Sequence, residues 1–203
     1  MLRDIPLVHN KIHSNGWELK PGLELHGKTV GIVGTGKIGR TAAAVFKALG
    51  CEVIGWSRSH KEEFIELGGE YVADIKQLFS RADLVSIHLP LNERTKGMIG
   101  FEELGAMKET AYLINTARGP IVDEKELIKV LGNKKIAGAG LDVFEQEPLP
   151  PDSPLLGLDN VVLTPHIAYK TEEAIQRRVA VTVENLKRFM ANSGVNRVDV
   201  PIS

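Results

Sequence analysis

Short β-branched, apolar runs alternate with amphipathic stretches along most of the chain. Residues 29–33 (TVGIV) read as a buried strand, and Ile38, Ala42, Val45 and Leu49 then recur at helical spacing until Gly50. A second strand is predicted over residues 51–56 (CEVIGW), then a short helix that ends at Gly68-Gly69 and a brief strand at Tyr71-Val72. Asp74 is placed to cap a helix over residues 75–81, which leads into a strand over residues 84–90. The pattern continues with a helix over residues 101–107, a strand over 111–117, a helix capped by Asp123 that runs through Leu131, and a strand within 134–144. Residues 145–157, rich in proline and acid, read as loop, and VVLTP as a short strand. The last helix starts at Thr171 and reaches about Ala191, with Ile175, Val179, Val183, Leu186 and Met190 on one stripe. Residues 3–13 suggest a short helix of poor pattern. Strands alternating with helices predict an α/β fold, a Rossmann-type doubly wound parallel sheet with helices on both faces.

The glycines between the first strand and helix change the picture from fold to chemistry. Gly34, Gly36 and Gly39 stand in the spacing G-x-G-x-x-G, with a strand before and a helix after. In that context Gly34 permits the tight turn, Gly36 the approach of a pyrophosphate and Gly39 close packing of helix on strand. The helix start offers free N–H groups and a positive dipole end to phosphates. A dinucleotide site is therefore expected, rather than a plain glycine turn.

The residues after the second strand bear on which dinucleotide. An acidic side chain there takes the ribose hydroxyls of NAD, but this strand ends Gly55-Trp56-Ser57-Arg58-Ser59, with Glu52 back at its start. Ser57 removes the repulsion against a 2′-phosphate and Arg58 is suited to clamp it, with His60 and Lys61 adding basic character. NADP(H) is the preferred cofactor on this reading, and NAD(H) the alternative.

Composition narrows the field further. The chain has 203 residues, 43% hydrophobic and 25% charged, with a formal net charge of −1. Near-neutral charge gives no support for nucleic acid or an anionic membrane as partner, and no apolar run reaches the roughly 18 residues of a membrane span. The first ten residues lack the apolar core of a signal peptide, so a cytoplasmic protein is expected. The single cysteine, Cys51, reads as a buried structural thiol. No metal site is expected.

Three more stretches fall where strands should end: NTARGP (115–120), LDVFEQEP (141–148) and TPHIA (164–168). Ligands of open parallel sheets bind beyond the carboxyl ends of the strands, so these loops should share a rim with the glycine loop. From HGKTVGIVGTGKIGR to the final helix, the order and spacing of these motifs resemble the D-isomer-specific 2-hydroxyacid dehydrogenases. The resemblance implies hydride transfer between NAD(P)H and a small 2-keto or 2-hydroxy acid of D configuration, with Arg118, Glu147 and His166 as catalytic residues. It implies cofactor contacts at Lys37, Ile38, Leu89, Pro90, Thr95, Thr116, Ala117, Arg118 and Asp142, and a homodimer. His88 is assigned to the cofactor-side loop and not to catalysis. The residue types suit the chemistry. His166 can supply a proton near neutral pH, a carboxylate such as Glu147 can favour its charged form, and the planar fork of Arg118 can hold a carboxylate bidentately.

Members of the resembling family carry a substrate domain of about one hundred residues before the dinucleotide domain, an ordinary domain size. The expected organisation is a crossover segment over 1–24, a dinucleotide-binding domain over 25–168, and a helix and tail over 169–203 that would complete a substrate domain. On that reading the substrate half lies mostly outside this chain, which should bind nucleotide with little turnover of its own. The same family includes the C-terminal-binding-protein corepressors, so a nucleotide-binding protein without useful catalysis is the competing expectation.

Overall fold

Val30 and Ile32 of β1 (Thr29–Val33) join Ala43, Val53 and Phe64 in one core, whereas Val33 joins Ile54, Leu78, Val85 and Ile87 in another. Gly31 faces the second core, where a Cβ would stand 2.4 Å from Leu78 Cδ2. A strand buried on both faces belongs in a parallel sheet covered by helices on both sides. The computed structural model, which describes residues 1–17 and 21–193, has this architecture.

The remaining strands are β2 (Glu52–Trp56), β3 (Glu70–Tyr71), β4 (Leu84–Ile87), β5 (Tyr112–Asn115), β6 (Gly138–Leu141) and β7 (Val161–Leu163). They form a seven-stranded sheet in the order β3-β2-β1-β4-β5-β6-β7, with every pairing parallel. This is the expected Rossmann-type doubly wound fold. The register aligns Val33 with Trp56 and Ile87, Ile87 with Asn115, Asn115 with Leu141, and Leu141 with Leu163. The carboxyl ends of six strands therefore stand level and make one rim. Strand order reverses between β1 and β4, the crevice in which such sheets bind ligands.

The helices are α1 (Ile5–His13), α2 (Lys37–Ala48), α3 (Glu62–Glu66), α4 (Ile75–Arg81), α5 (Phe101–Ala106), α6 (Glu124–Gly132) and α7 (Glu172–Met190). Asp74, Asp123 and Thr171 cap α4, α6 and α7 by accepting from the amides of Gln77, Glu126 and Ala174. Cys51 is buried, its Sγ 3.2 Å from the Leu25 carbonyl, as expected of a structural thiol.

The structure departs from the apolar pattern in two places. Of the residues at helical spacing after the glycines, Ile38, Val45 and Leu49 are exposed and Ala42 is half-buried against the core, while the buried residues of α2 are Gly39 and Ala43, with Phe46 packed beside them. The reason is closeness: a Cβ on Gly39 would lie 2.0 Å from the Gly34 carbonyl oxygen, so small residues face the strands and bulky ones point away. The strands at the rim are also shorter than their apolar runs, ending at Ile87, Asn115 and Leu141. Beyond them the chain turns into the loops described below. Residues 145–157 are loop except for a 3-10 turn at Pro154–Gly157, in which Ser153 Oγ accepts from the Leu155 amide.

The chain divides into two compact units, Met1–Pro165 and His166–Ser203. In the first, the N-terminal segment is tied to the sheet. A Cβ on Gly140 would meet Met1 Sδ at 2.8 Å, and the Leu23 amide donates to the Leu2 carbonyl at 2.9 Å. In the second, α7 has no buried residue, and the Arg178 guanidinium lies 5.8 Å from the centre of the Tyr169 ring. Residues 18–20 and 194–203, which the sequence assigns to the crossover and the tail, lie outside the described residues. No helix among the described residues is long and apolar enough to cross a membrane.

Candidate cofactor and active site

Among the described residues, the buried polar or charged side chains are Thr35, Ser86, Asn115 and Asp142. All stand at or next to the carboxyl ends of strands in the first unit. Buried polar groups must be hydrogen-bonded to be tolerated, and each of these is. Thr35 meets the Tyr71 hydroxyl at 2.7 Å, Ser86 meets His88 Nε2 at 2.9 Å, and Asp142 accepts from the Thr164 hydroxyl. Asn115 Oδ1 accepts from the Ala117 amide and its Nδ2 donates to the Arg118 carbonyl, both at 3.0 Å.

The glycine loop starts where β1 stops. Gly34 has φ +99°, a left-handed conformation natural to glycine, and its amide donates to the Trp56 carbonyl at 2.8 Å. A Cβ there would press on the His88 carbonyl oxygen at 2.7 Å and on Leu89 Cδ2 at 3.0 Å, so the loop lies directly against the chain leaving β4. Gly36 is the N-cap of α2, makes no side-chain cap, and has open space where its Cβ would be. That opening exposes uncapped N–H groups at a helix start, a fit to a pyrophosphate. Lys37 and Ile38 begin the helix exposed. Arg40 braces the loop from below, Nη1 donating to the Thr35 carbonyl at 3.1 Å and Nη2 lying 3.7 Å from Glu63.

At the end of β2, Ser57 is half-buried and Arg58 exposed. Across the crevice, Leu89 packs against the core and Pro90 is exposed. The Thr95 hydroxyl donates to the Pro90 carbonyl at 2.7 Å and accepts from the Asn92 amide at 2.9 Å, closing this loop on itself. Burial pushes the His88 imidazole below its usual pKa, which favours the neutral ring beside Ser86.

Past β5, Thr116 and Arg118 are exposed and Ala117 half-buried. Arg118 Nη1 donates to the Ala117 carbonyl at 2.6 Å, and among the described residues Arg118 has no ion pair with a carboxylate. Gly119 follows because a Cβ would collide with the Phe144 carbonyl, 1.9 Å from its oxygen. This close approach brings the Arg118 turn against the loop after β6. In that loop Glu147 is exposed, and its Oε1 accepts from the Phe144 amide at 3.0 Å. The first unit thus gathers Gly34, Gly36, Lys37, Ile38, Gly39, Ser57, Arg58, Leu89, Pro90, Thr95, Thr116, Ala117, Arg118, Asp142 and Glu147 along one rim and the loops that leave it.

His166 opens the second unit. It is half-buried, has φ +53° and sets its ring 5.8 Å from that of Tyr169 in an edge arrangement at 85°.

Sequence reasoning missed Thr35, Tyr71, Ser86 and Asn115. Asn115 carried a readable signal, an Asn at a strand end before a Gly-Pro turn, where its side chain can bond the backbone two residues on. Tyr71 carried none, since its partners lie 10 and 36 residues away.

Comparison with known proteins agrees with this geometry. The family model for the D-isomer specific 2-hydroxyacid dehydrogenase, NAD binding domain, matches residues 1–168. A glyoxylate reductase of Korarchaeum cryptofilum is 49% identical over 169 residues, which are 83% of this chain and 51% of the relative. An acyclic imino acid reductase solved in complex with NADPH and D-Arg superposes with a TM-score of 0.87 at 33% identity, over 98% of this chain and 63% of the other. A D-lactate dehydrogenase from Aquifex aeolicus, complexed with NAD and lactic acid, superposes with a TM-score of 0.87 at 31% identity, over 95% and 63%. The chain spans about half the length of the curated relatives it matches. The strand order, the glycine loop and the extent of the match lead to one assignment: the chain belongs to the D-isomer specific 2-hydroxyacid dehydrogenases and carries their NAD-binding domain.

Proposed function

We propose that the chain binds NADP(H) in preference to NAD(H) and serves the reduction of a small 2-keto acid to its D-2-hydroxy acid. The observation that carries the proposal is Arg118. Its turn is braced by Asn115 on the rim, and among the described residues its guanidinium bonds only the Ala117 carbonyl and has no carboxylate partner. An exposed guanidinium of this kind beside a dinucleotide crevice is suited to a substrate carboxylate, which it can hold bidentately while polarising the neighbouring keto oxygen. The bound cofactor supplies the hydride. His166 serves as the proton donor to the developing alkoxide, and Glu147 is the third catalytic residue. Thr116, Ala117 and Asp142 serve the nicotinamide end, and Lys37, Ile38, Leu89, Pro90 and Thr95 the rest of the cofactor.

The preference for NADP(H) rests on Ser57 and Arg58. No carboxylate follows β2 at this point, and among the described residues the exposed Arg58 makes no side-chain hydrogen bond or ion pair. Relatives of equal structural similarity were solved one with NADPH and one with NAD, so the choice falls to these side chains. A homodimer is the proposed assembly, to be read from sedimentation.

Calorimetric titration with NADPH and NADH separately tests the cofactor, and tighter NADH binding would reject the preference. Turnover is assayed with NADPH and glyoxylate, hydroxypyruvate or pyruvate, on the chain joined to an N-terminal substrate domain. His166→Ala should abolish it and leave the NADPH dissociation constant within about twofold, a change of under 0.5 kcal/mol. Normal turnover in that variant would reject the catalytic assignment.

A further inference from the structure

Tyr71 ends β3 beside Gly55 of β2, and its phenol reaches both loops that flank the end of β2. The hydroxyl lies 2.7 Å from Thr35 Oγ1, in the glycine loop, and accepts from the Lys61 amide at 2.9 Å. The His60 imidazole stacks on the Tyr71 ring at 3.9 Å, nearly parallel at 6°, while Phe64 tilts against it at 4.8 Å. Phe64 in turn fills the space that side chains at Gly55 and Gly69 would take, 2.5 Å from each Cβ position. The segment 57–61 is thus pinned from its far end, by one hydroxyl, to the loop that faces the pyrophosphate.

Thr35 is fully buried, and its hydroxyl and the phenol satisfy each other across this bond. The phenol oxygen also accepts from the Lys61 amide, so one hydroxyl group links both loops.

We propose that Tyr71 is a specificity-determining positioning residue: its hydroxyl fixes segment 57–61 relative to the glycine loop, so that Ser57 and Arg58 meet the 2′ position of the adenosine ribose at a set distance from the pyrophosphate. The inference rests on the reading of Ser57 and Arg58 as the ribose end of the site. A positioned guanidinium can clamp a phosphate through directed hydrogen bonds, whereas one on a loosened segment contributes only a mobile charge.

The test is a mutant cycle on NADPH affinity. The double variant Thr35→Val/Tyr71→Phe removes the bridge without stranding a buried hydroxyl, and keeps the His60 stack and the Phe64 packing. Its melting temperature should stay close to that of the parent. In the parent, Arg58→Ala is expected to weaken NADPH binding about tenfold, equivalent to 1.4 kcal/mol, and NADH binding less than twofold. In the bridge-less background Arg58→Ala should change NADPH affinity less than threefold, because the clamp is already lost. A full tenfold effect of Arg58→Ala in that background would overturn the inference and leave the ribose reading intact. No effect of Arg58→Ala in the parent would overturn the ribose reading, and this inference with it.

Discussion

The two halves of the rim are built by different means. On the β1–β3 side the glycine loop is shaped by the absence of side chains: Gly34 turns, Gly36 leaves space and Gly39 lets α2 approach β1. On the β4–β7 side the loops are shaped by buried side chains, with Asn115 holding Ala117 and Arg118, and Asp142 holding Thr164. On the proposed function the difference follows from the job. A pyrophosphate is bound by backbone N–H groups and needs bare chain, whereas a substrate anion needs a particular guanidinium held at a particular height.

The largest test of this contrast is Gly119→Ala. On the β4–β7 side Gly119 stands where the loops after β5 and β6 meet backbone to backbone without room for a Cβ, 1.9 Å from the Phe144 oxygen. Neither backbone is free to yield, so a loss of about 3 kcal/mol is expected, seen as a melting temperature lowered by roughly 10 °C. A stable Gly119→Ala protein would show that the two loops are not locked together.

Asn115→Ala should act more locally. It strands the Ala117 amide and leaves the Arg118 carbonyl with only the Ile121 amide, at an expected cost of about 2 kcal/mol. Denaturant unfolding measures that cost, and NADPH titration should show the glycine side nearly unaffected. Equal loss on both sides would break the division between the halves.

The smallest expected effect concerns His88, at the boundary between the halves. Its folded-state pKa lies below the ordinary 6.5 because burial disfavours the charged ring. The unfolded chain therefore takes up the proton first. The stabilisation is complete above about pH 6.5 and is lost as the pH falls through the depressed folded value. His88→Gln should remove this slope between pH 7 and 5, measured as melting temperature against pH. A slope unchanged in the variant would assign the titration to another group.

The fold and the glycine-loop half were largely legible in the sequence, because the loop, its strand and its helix are contiguous and each residue acts on near neighbours. The buried face of α2 was not legible from that spacing. Periodicity marks bulky apolar residues such as Ile38 and Leu49, while the contact that matters is made by Gly39 and Ala43, which carry little hydrophobic signal. The other half was legible mainly through its resemblance to a family. Arg118 and Glu147 could be named and Asn115 carried a local signal, but the contact of Gly119 with Phe144 depends on the pairing of β5 with β6. The Tyr71 bridge depends on a residue 36 positions from its partner and was beyond any local pattern.

The position of β1 between β2 and β4 also sets an order of assembly. During synthesis β2 emerges soon after β1 and can pair with it at once, but the other edge of β1 stays open until residues 84–87 leave the ribosome. Until then the row of unpaired groups on β1 can recruit a wrong strand. The crevice does not exist until that edge closes, since Gly34 rests against His88 and Leu89. A nascent chain stopped before β4 should therefore have the complete glycine motif and no site for its nucleotide, and the free cofactor can favour only chains that have already passed this step.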